Sequence, residues 1–177
     1  MGTEAAAVLA PLWRGLPPLD SGAVDGAASC AISGSHESVS GARAFTHHTL
    51  RHWELTDLSD DVALVVSELV TNALRHALTG HTEHGHTEHE HAGHEHAGQE
   101  TAVRLHLMRW SSRLVCAVRD PSTASPVAGV ADVGAESGRG LYLVDSFSDS
   151  WGWHPLDGSL HGKVVWAVFH LPRPAAD

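Results

Sequence analysis

DVALVVSELVTNALRHA, residues 61–77, decides how the chain is read. Val62, Val65, Val66, Leu69, Ala73 and Ala77 recur at helical spacing and form one apolar stripe that must face a core. Asp60 and Asp61 open the stretch, where the positive end of a helix favours carboxylates. Glu68 and Asn72 stand one turn apart and share a face. A carboxylate and an amide on a helix otherwise this apolar need polar partners, from another element or from a ligand.

Upstream, Ser35 or Ser38 is expected to cap a helix from about Glu37 to Trp53, with Val39, Ala42, Phe45, Leu50 and Trp53 on its apolar side. ASCAIS at 28–33 alternates as a first strand. Residues 1–27 are rich in Ala, Gly and Pro and are expected to form a loosely attached arm before a domain spanning 28–172. Downstream, residues 81–100 read HTEHG, HTEHE, HAGHE, HAGQE, four copies of a five-residue unit. Each unit advances a helix by about 140°, so the histidines would spiral instead of lining one face. A flexible insert is expected there.

Alternation returns in AVRLHLMR (102–109) and LVCAV (114–118), separated by a Ser-Ser turn, which reads as a β-hairpin. Residues 121–138 form a Pro/Gly/Ser/Ala loop, and 141–147 a short helix after it. DSWGWH (149–154) and VVWAVFHL (164–171) read as closing strands joined near Asp157-Gly158. Helices mix with antiparallel strands without a βαβ rhythm. The expected fold class is α+β: a two-layer sandwich with helices on one face of a mixed, mostly antiparallel sheet.

At 177 residues and 42% apolar, the chain suits one domain with a real core. A net charge of −10 argues against direct nucleic-acid binding. Cys30 and Cys116 are far apart and fit no metal-ligand spacing, so reduced thiols are expected. No apolar run reaches the length of a membrane span. A cytoplasmic protein with no membrane partner is the expectation.

Three clusters carry chemistry. Glu68 and Asn72 would find partners in a hydrated Mg²⁺ and nucleotide phosphates, since Mg²⁺ takes oxygen ligands and retains waters. Asp120, in Asp120-Pro121-Ser122 at a strand end, can accept a hydrogen bond from an exocyclic amine such as that of adenine. Gly138, Arg139, Gly140 and Leu141 run a glycine-rich loop into a helix start, where bare N–H groups suit polyphosphate and Arg139 adds charge-assisted bonds. Alone, each cluster also has a bland reading: a chance helical pair, a turn, a cap.

In this order, ELVTNALRHA, RDPS, ESGRGLYLVDSFSDSWGW and GKVVW resemble the ATP-binding domain shared by gyrase, MutL, a heat-shock chaperone and the histidine kinases. The resemblance is greatest to stand-alone bacterial domains related to anti-sigma-factor serine/threonine kinases. It covers about Ala28–Leu171, interrupted by the His-rich insert. It implies that Asn72 binds Mg²⁺ and that Glu68 acts as general base or orients the acceptor hydroxyl. It places Asp120 on the adenine amine, with Gly138, Arg139 and Gly140 facing phosphate. Arg75, one turn past Asn72, could reach phosphate; its neighbour His76 is as readily structural. Two positions depart from the family: Ser122 stands where a glycine is usual, and Val164 where many relatives carry threonine.

The resemblance implies an ATP-dependent protein serine/threonine kinase whose partner is a sigma factor or an anti-sigma-factor antagonist. The departures at Ser122 and Val164 favour instead a non-catalytic ATP-sensing protein. The resemblance also allows a homodimer through the first strand and helix. A third reading gives the insert a Zn²⁺ or Ni²⁺ site built from His81, His84, His86, His89, His91, His94 and His96. A metal-free repeat expansion in a tolerated loop is the simpler explanation. His47-His48 lacks an adjacent acid and does not read as a phosphoacceptor.

Overall fold

The structure is a computed structural model, and it describes residues 24–35, 37–79, 103–110, 112–126, 139–156 and 161–172. The His-rich stretch, Gly138 and the Asp157-Gly158 turn lie outside the described residues. In chain order the elements are β1 (Val24–Ile32), α1 (Ser38–His52), a 3₁₀ turn (Thr56–Leu58), α2 (Ser59–Thr79), β2 (Val103–Trp110), β3 (Arg113–Asp120), α3 (Arg139–Phe147), β4 (Ser150–Pro155) and β5 (Lys163–His170). The sheet order is β1-β2-β3-β5-β4. Every pairing is antiparallel, so the parallel component expected of a mixed sheet is not among them. The α+β class stands.

Two connections shape the molecule. Neighbouring β1 and β2 are joined through both long helices, which places α1 and α2 together on one face. The second connection, through α3, leads from β3 to β4, which run in the same direction with β5 between them. A connection between strands of the same direction needs a crossover, and α3 provides it.

The stripe predicted on α2 is buried: Val62, Val65 and Val66 are fully covered, and Leu69 and Ala73 nearly so. They pack on Leu105, Leu107, Leu114, Cys116, Val118, Ala167 and Phe169 from the central strands. Burying each valine or leucine side chain contributes roughly 1.5–3 kcal/mol, so this layer is the main source of stability. Burial pushes the Cys116 thiol up to about 12, which leaves it inert as a nucleophile.

The opposite face is not merely polar. Val115, Ala117, Val164, Trp166 and Val168 form a second buried cluster with Leu156 against it. Runs such as VVWAVF are therefore apolar on both faces, as strands covered on both sides are. His106 lies on this face, 8% exposed, and its Nδ1 has no hydrogen-bond partner among the described residues. Burial, followed by the charges of Arg104 and Arg119, lowers its pKa to about 4.

Several local expectations need correction. β1 begins at Val24, earlier than the predicted Ala28, so residues 24–27 belong to a strand and not to an arm. Edge strands need no continuous apolar pattern, and β1 alternates between half-buried and exposed positions. Neither serine caps α1: the N-cap is Glu37, with no side-chain bond to the helix. Instead Ser38 donates to the carbonyl of Ser33, and the Ser33, Ser35 and Ser38 hydroxyls cluster. The far end of α1 is held by Arg109, whose guanidinium donates to the Trp53 carbonyl at 2.9 Å. His47 has a structural role, with its Nδ1 2.7 Å from the Ser59 hydroxyl that opens α2. Trp166 is buried, whereas Trp153 is 38% exposed. No described helix is long and apolar enough to cross a membrane.

Candidate functional site

Glu68 and Asn72 are both half-buried on α2. Their neighbours Leu69, Val70 and Ala73 enter the core, which fixes the helix rotation and turns the two polar groups toward α3. Val144 anchors α3 on the same core, and Leu141 is buried as well. The first turn of α3 then lies directly on the polar pair. A Cβ added at Gly140 would sit 2.7 Å from Glu68 Oε2, 3.4 Å from Asn72 Nδ2 and 3.6 Å from Asn72 Oδ1. Gly140 is thus required by close approach, because any side chain there would displace the carboxylate. The structure brings together Glu68, Asn72 and the start of α3, which the sequence holds about seventy residues apart. The positive end of α3 faces the Glu68 carboxylate, a favourable arrangement for anionic groups.

Arg139 is the first residue of α3, and Leu141, two residues on, is buried. Arg75 is exposed, one turn beyond Asn72. His76 continues α2.

Asp120 ends β3 on the helix-facing side, in the alternation that buries Leu114, Cys116 and Val118. Its cross-strand partner is Lys163, the first residue of β5. Lys163 Nζ lies 2.6 Å from Asp120 Oδ2, with the two side chains 1% and 2% exposed. The Ser122 N–H donates to Asp120 Oδ1 at 2.8 Å, and Lys163 Nζ donates to the Ser122 carbonyl at 3.1 Å. Gly162 precedes the lysine with φ +109°, and a Cβ there would fall on the Asp120 carbonyl and 2.9 Å from Pro121 Cα. Only glycine seats the two strands this closely.

Gly162 and Lys163 stand in the GKVVW motif, but the sequence reading gave neither a role in the site. A signal existed: Lys163 is the single lysine of the chain, and it stands at a strand start beside a glycine. Ser122, read as a departure from an expected glycine, contributes its backbone to the Asp120–Lys163 network.

The donor set at α2 fits Mg²⁺. Glu68 and Asn72 offer hard oxygen donors, and Gly140 keeps open the space that a side chain would fill. Among the described residues, no group of three or more His, Cys, Asp or Glu is placed to hold a metal ion by itself. A bound Mg²⁺ would therefore rely on phosphate oxygens and waters for its remaining ligands, which is its usual habit. The histidines proposed for Zn²⁺ or Ni²⁺ fall outside the described residues.

No curated protein matches the chain. The sequence pattern of the histidine kinase-like ATPase domain matches residues 32–169, from the last residue of β1 into β5, and so takes in four of the five strands, the helical layer and both polar clusters. With more than half of its length matched, the chain belongs to the family of histidine kinase-like ATPase domains.

Proposed function

We propose that the chain is a Mg-ATP-binding regulatory protein of the anti-sigma-factor serine/threonine kinase type, acting on a protein partner in transcriptional control. The observation that carries this reading is the meeting of Glu68, Asn72 and Gly140 at the start of α3. Asn72 Oδ1 would hold Mg²⁺. The α3 N-terminus, with Gly138, Arg139 and Gly140, would bind the phosphates through backbone N–H groups and the Arg139 charge. Glu68 would orient the acceptor hydroxyl and take its proton. Mg²⁺, when bound, would supply charge neutralisation on the phosphates, the main requirement of phosphoryl transfer. Asp120 lies at the base end of the same cleft in this reading. The partner is a sigma factor or an anti-sigma-factor antagonist, and the acting species a homodimer in the cytoplasm.

A non-catalytic alternative has its own support. The Asp120 carboxylate, expected to read adenine, is already paired with Lys163. A protein that holds nucleotide in order to change a partner surface would tolerate this more readily than a kinase.

Nucleotide titration with and without Mg²⁺ tests the shared core of both readings. Mg-ATP affinity should fall by tenfold or more in Asn72→Ala; Mg-independent binding that ignores Asn72 removes the proposal. Transfer of γ-phosphate to an antagonist protein, lost in Glu68→Ala, separates the kinase from the sensor.

A further inference from the structure

The outer face of the sheet is buried, although α1, α2 and α3 all pack into the cluster on the inner face. Val115, Ala117 and Val164 are at most 1% exposed, Val168 4% and Trp166 8%. Met108 falls on the same face by alternation and is 2% exposed. Side chains stand perpendicular to a sheet, so their tips stay wet unless a second layer lies over them. Among the described residues, Leu156 is the one half-buried apolar side chain packed against this cluster, too little to cover three strands.

The cover is narrow. One cross-strand row shows both of its limits: Ala27 is exposed, Met108, Val115 and Val168 are buried, and Ser150 is exposed again. The covered strip therefore spans β2, β3 and β5, about 10 Å across at a strand spacing of about 4.8 Å. That is the width of one chain segment. A second copy laid face to face would cover the outer positions of β1 and β4 as well.

We propose that residues 1–23 of this chain supply the cover, and that the outer face is the docking surface of this N-terminal segment. The inference is independent of the nucleotide reading. Composition selects the segment. It carries Val8, Leu9, Leu12, Trp13, Leu16 and Leu19, whereas residues 80–102 hold no Val, Leu, Ile, Met, Phe, Trp or Tyr, and residues 173–177 hold none either. The stretch 127–138 offers three valines and 157–160 one leucine, too little apolar surface for the strip. Connectivity agrees. The segment runs into Val24, whose cross-strand partner Trp110 shares a face with Met108 and is 7% exposed. The strip thus begins beside the point where the segment joins the sheet, and 23 residues at up to about 3.3 Å each can run its length. The chemistry agrees too. Trp166 Nε1 and His106 Nδ1 are buried on this face with no hydrogen-bond partner among the described residues. A buried indole N–H needs an acceptor. Pro11, Pro17 and Pro18 remove N–H donors from the segment and leave its carbonyls in surplus.

The test is hydrogen exchange of the full chain read by mass spectrometry, with a synthetic peptide of residues 1–23 as the free reference. Amides of residues 8–19 should exchange at least about tenfold more slowly in the chain than in the peptide. A photoreactive benzophenone amino acid placed at position 13 then locates the segment: irradiation should attach it, within one chain, to Met108, Val115 or Val168. The double variant Leu12→Asp, Leu16→Asp should lose the protection and bind an apolar dye at the uncovered face, with its sheet signal in circular dichroism retained. Exchange at the rate of the free peptide overturns the proposal. Attachment to the helical layer or to a second copy of the chain also overturns it, and so does a folded double variant whose outer face stays closed to the dye.

Discussion

Gly140→Ala separates the demands of the fold from those of the site. The new Cβ would lie 2.7 Å from Glu68 Oε2, against an ordinary contact that starts at 3.4 Å. The carboxylate must therefore retreat by about 0.7 Å, the difference between those two distances. It is the far end of a flexible, half-buried side chain, so the fold yields at little cost. Alanine is also the better helix former, by up to about 1 kcal/mol in a helix interior. Stability in urea should thus stay within about 1 kcal/mol of wild type. The site should not be so forgiving, because functional groups need placement within about 0.5 Å. Mg-ATP affinity is expected to drop about tenfold, and any phosphoryl transfer by a further tenfold, in line with the cost of ångström-scale misplacement. Titration calorimetry and urea denaturation on the same sample read both quantities. Gly41→Ala is the control, since a Cβ there meets nothing within 4 Å on α1. Wild-type affinity in Gly140→Ala, or a loss of several kcal/mol of stability, would refute the placement of Glu68 against α3.

Other perturbations test other parts of the molecule. His106 has its pKa lowered to about 4 from 6.5, so the unfolded chain takes up a proton that the folded chain refuses. The stability it allows is complete above pH 6.5 and is lost on acidification toward pH 4. At roughly 1.4 kcal/mol for each pH unit crossed, the loss is about 3 kcal/mol. Urea titrations across that window should show a shallower decline in His106→Leu. Lys163→Met leaves a buried carboxylate without its cation and should cost about 3–5 kcal/mol, while adding Asp120→Asn should recover much of the loss in thermal denaturation. A Cβ at Gly152 would meet Trp166 Cζ2 at 2.5 Å, so Gly152→Ala should lower stability by about 1–3 kcal/mol, measured as a shifted urea midpoint.

The helical layer was legible because its residues obey one local rule. The stripe from Val62 to Ala73 declares a buried face, and Glu68 and Asn72 declare an exception to it. The glycine-rich start of α3 was equally visible, but its reason was not. Gly140 is needed because a crossover sets residue 140 against residue 68, and no local pattern encodes that distance. Lys163 was missed on the same ground. A lone lysine at a strand start reads as a solvated charge, and only the register of β3 with β5 makes it the partner of Asp120. The start of β1 escaped because Gly26 and its small neighbours show no apolar alternation. Gly26 is instead chosen by the Trp53 ring, which a Cβ would approach to 3.0 Å. The second buried face was written in the sequence as unbroken apolar runs in β3 and β5, which the expectation of a one-sided sheet obscured.

The position of β5 has a consequence for how the protein is made. It is the last described strand in chain order, yet it lies between β3 and β4. While the chain emerges from a ribosome, β3 and β4 must wait with unsatisfied edges until residues 163–170 arrive. Non-local pairing of this kind slows folding and prolongs the exposure of sticky edges. Glu68, Asn72 and Gly140 can meet earlier, but Asp120 stays an unpaired carboxylate until Lys163 inserts. Closure of the sheet and neutralisation of that charge are one event, so a chain released before residue 163 would carry both an open edge and a buried, uncompensated acid.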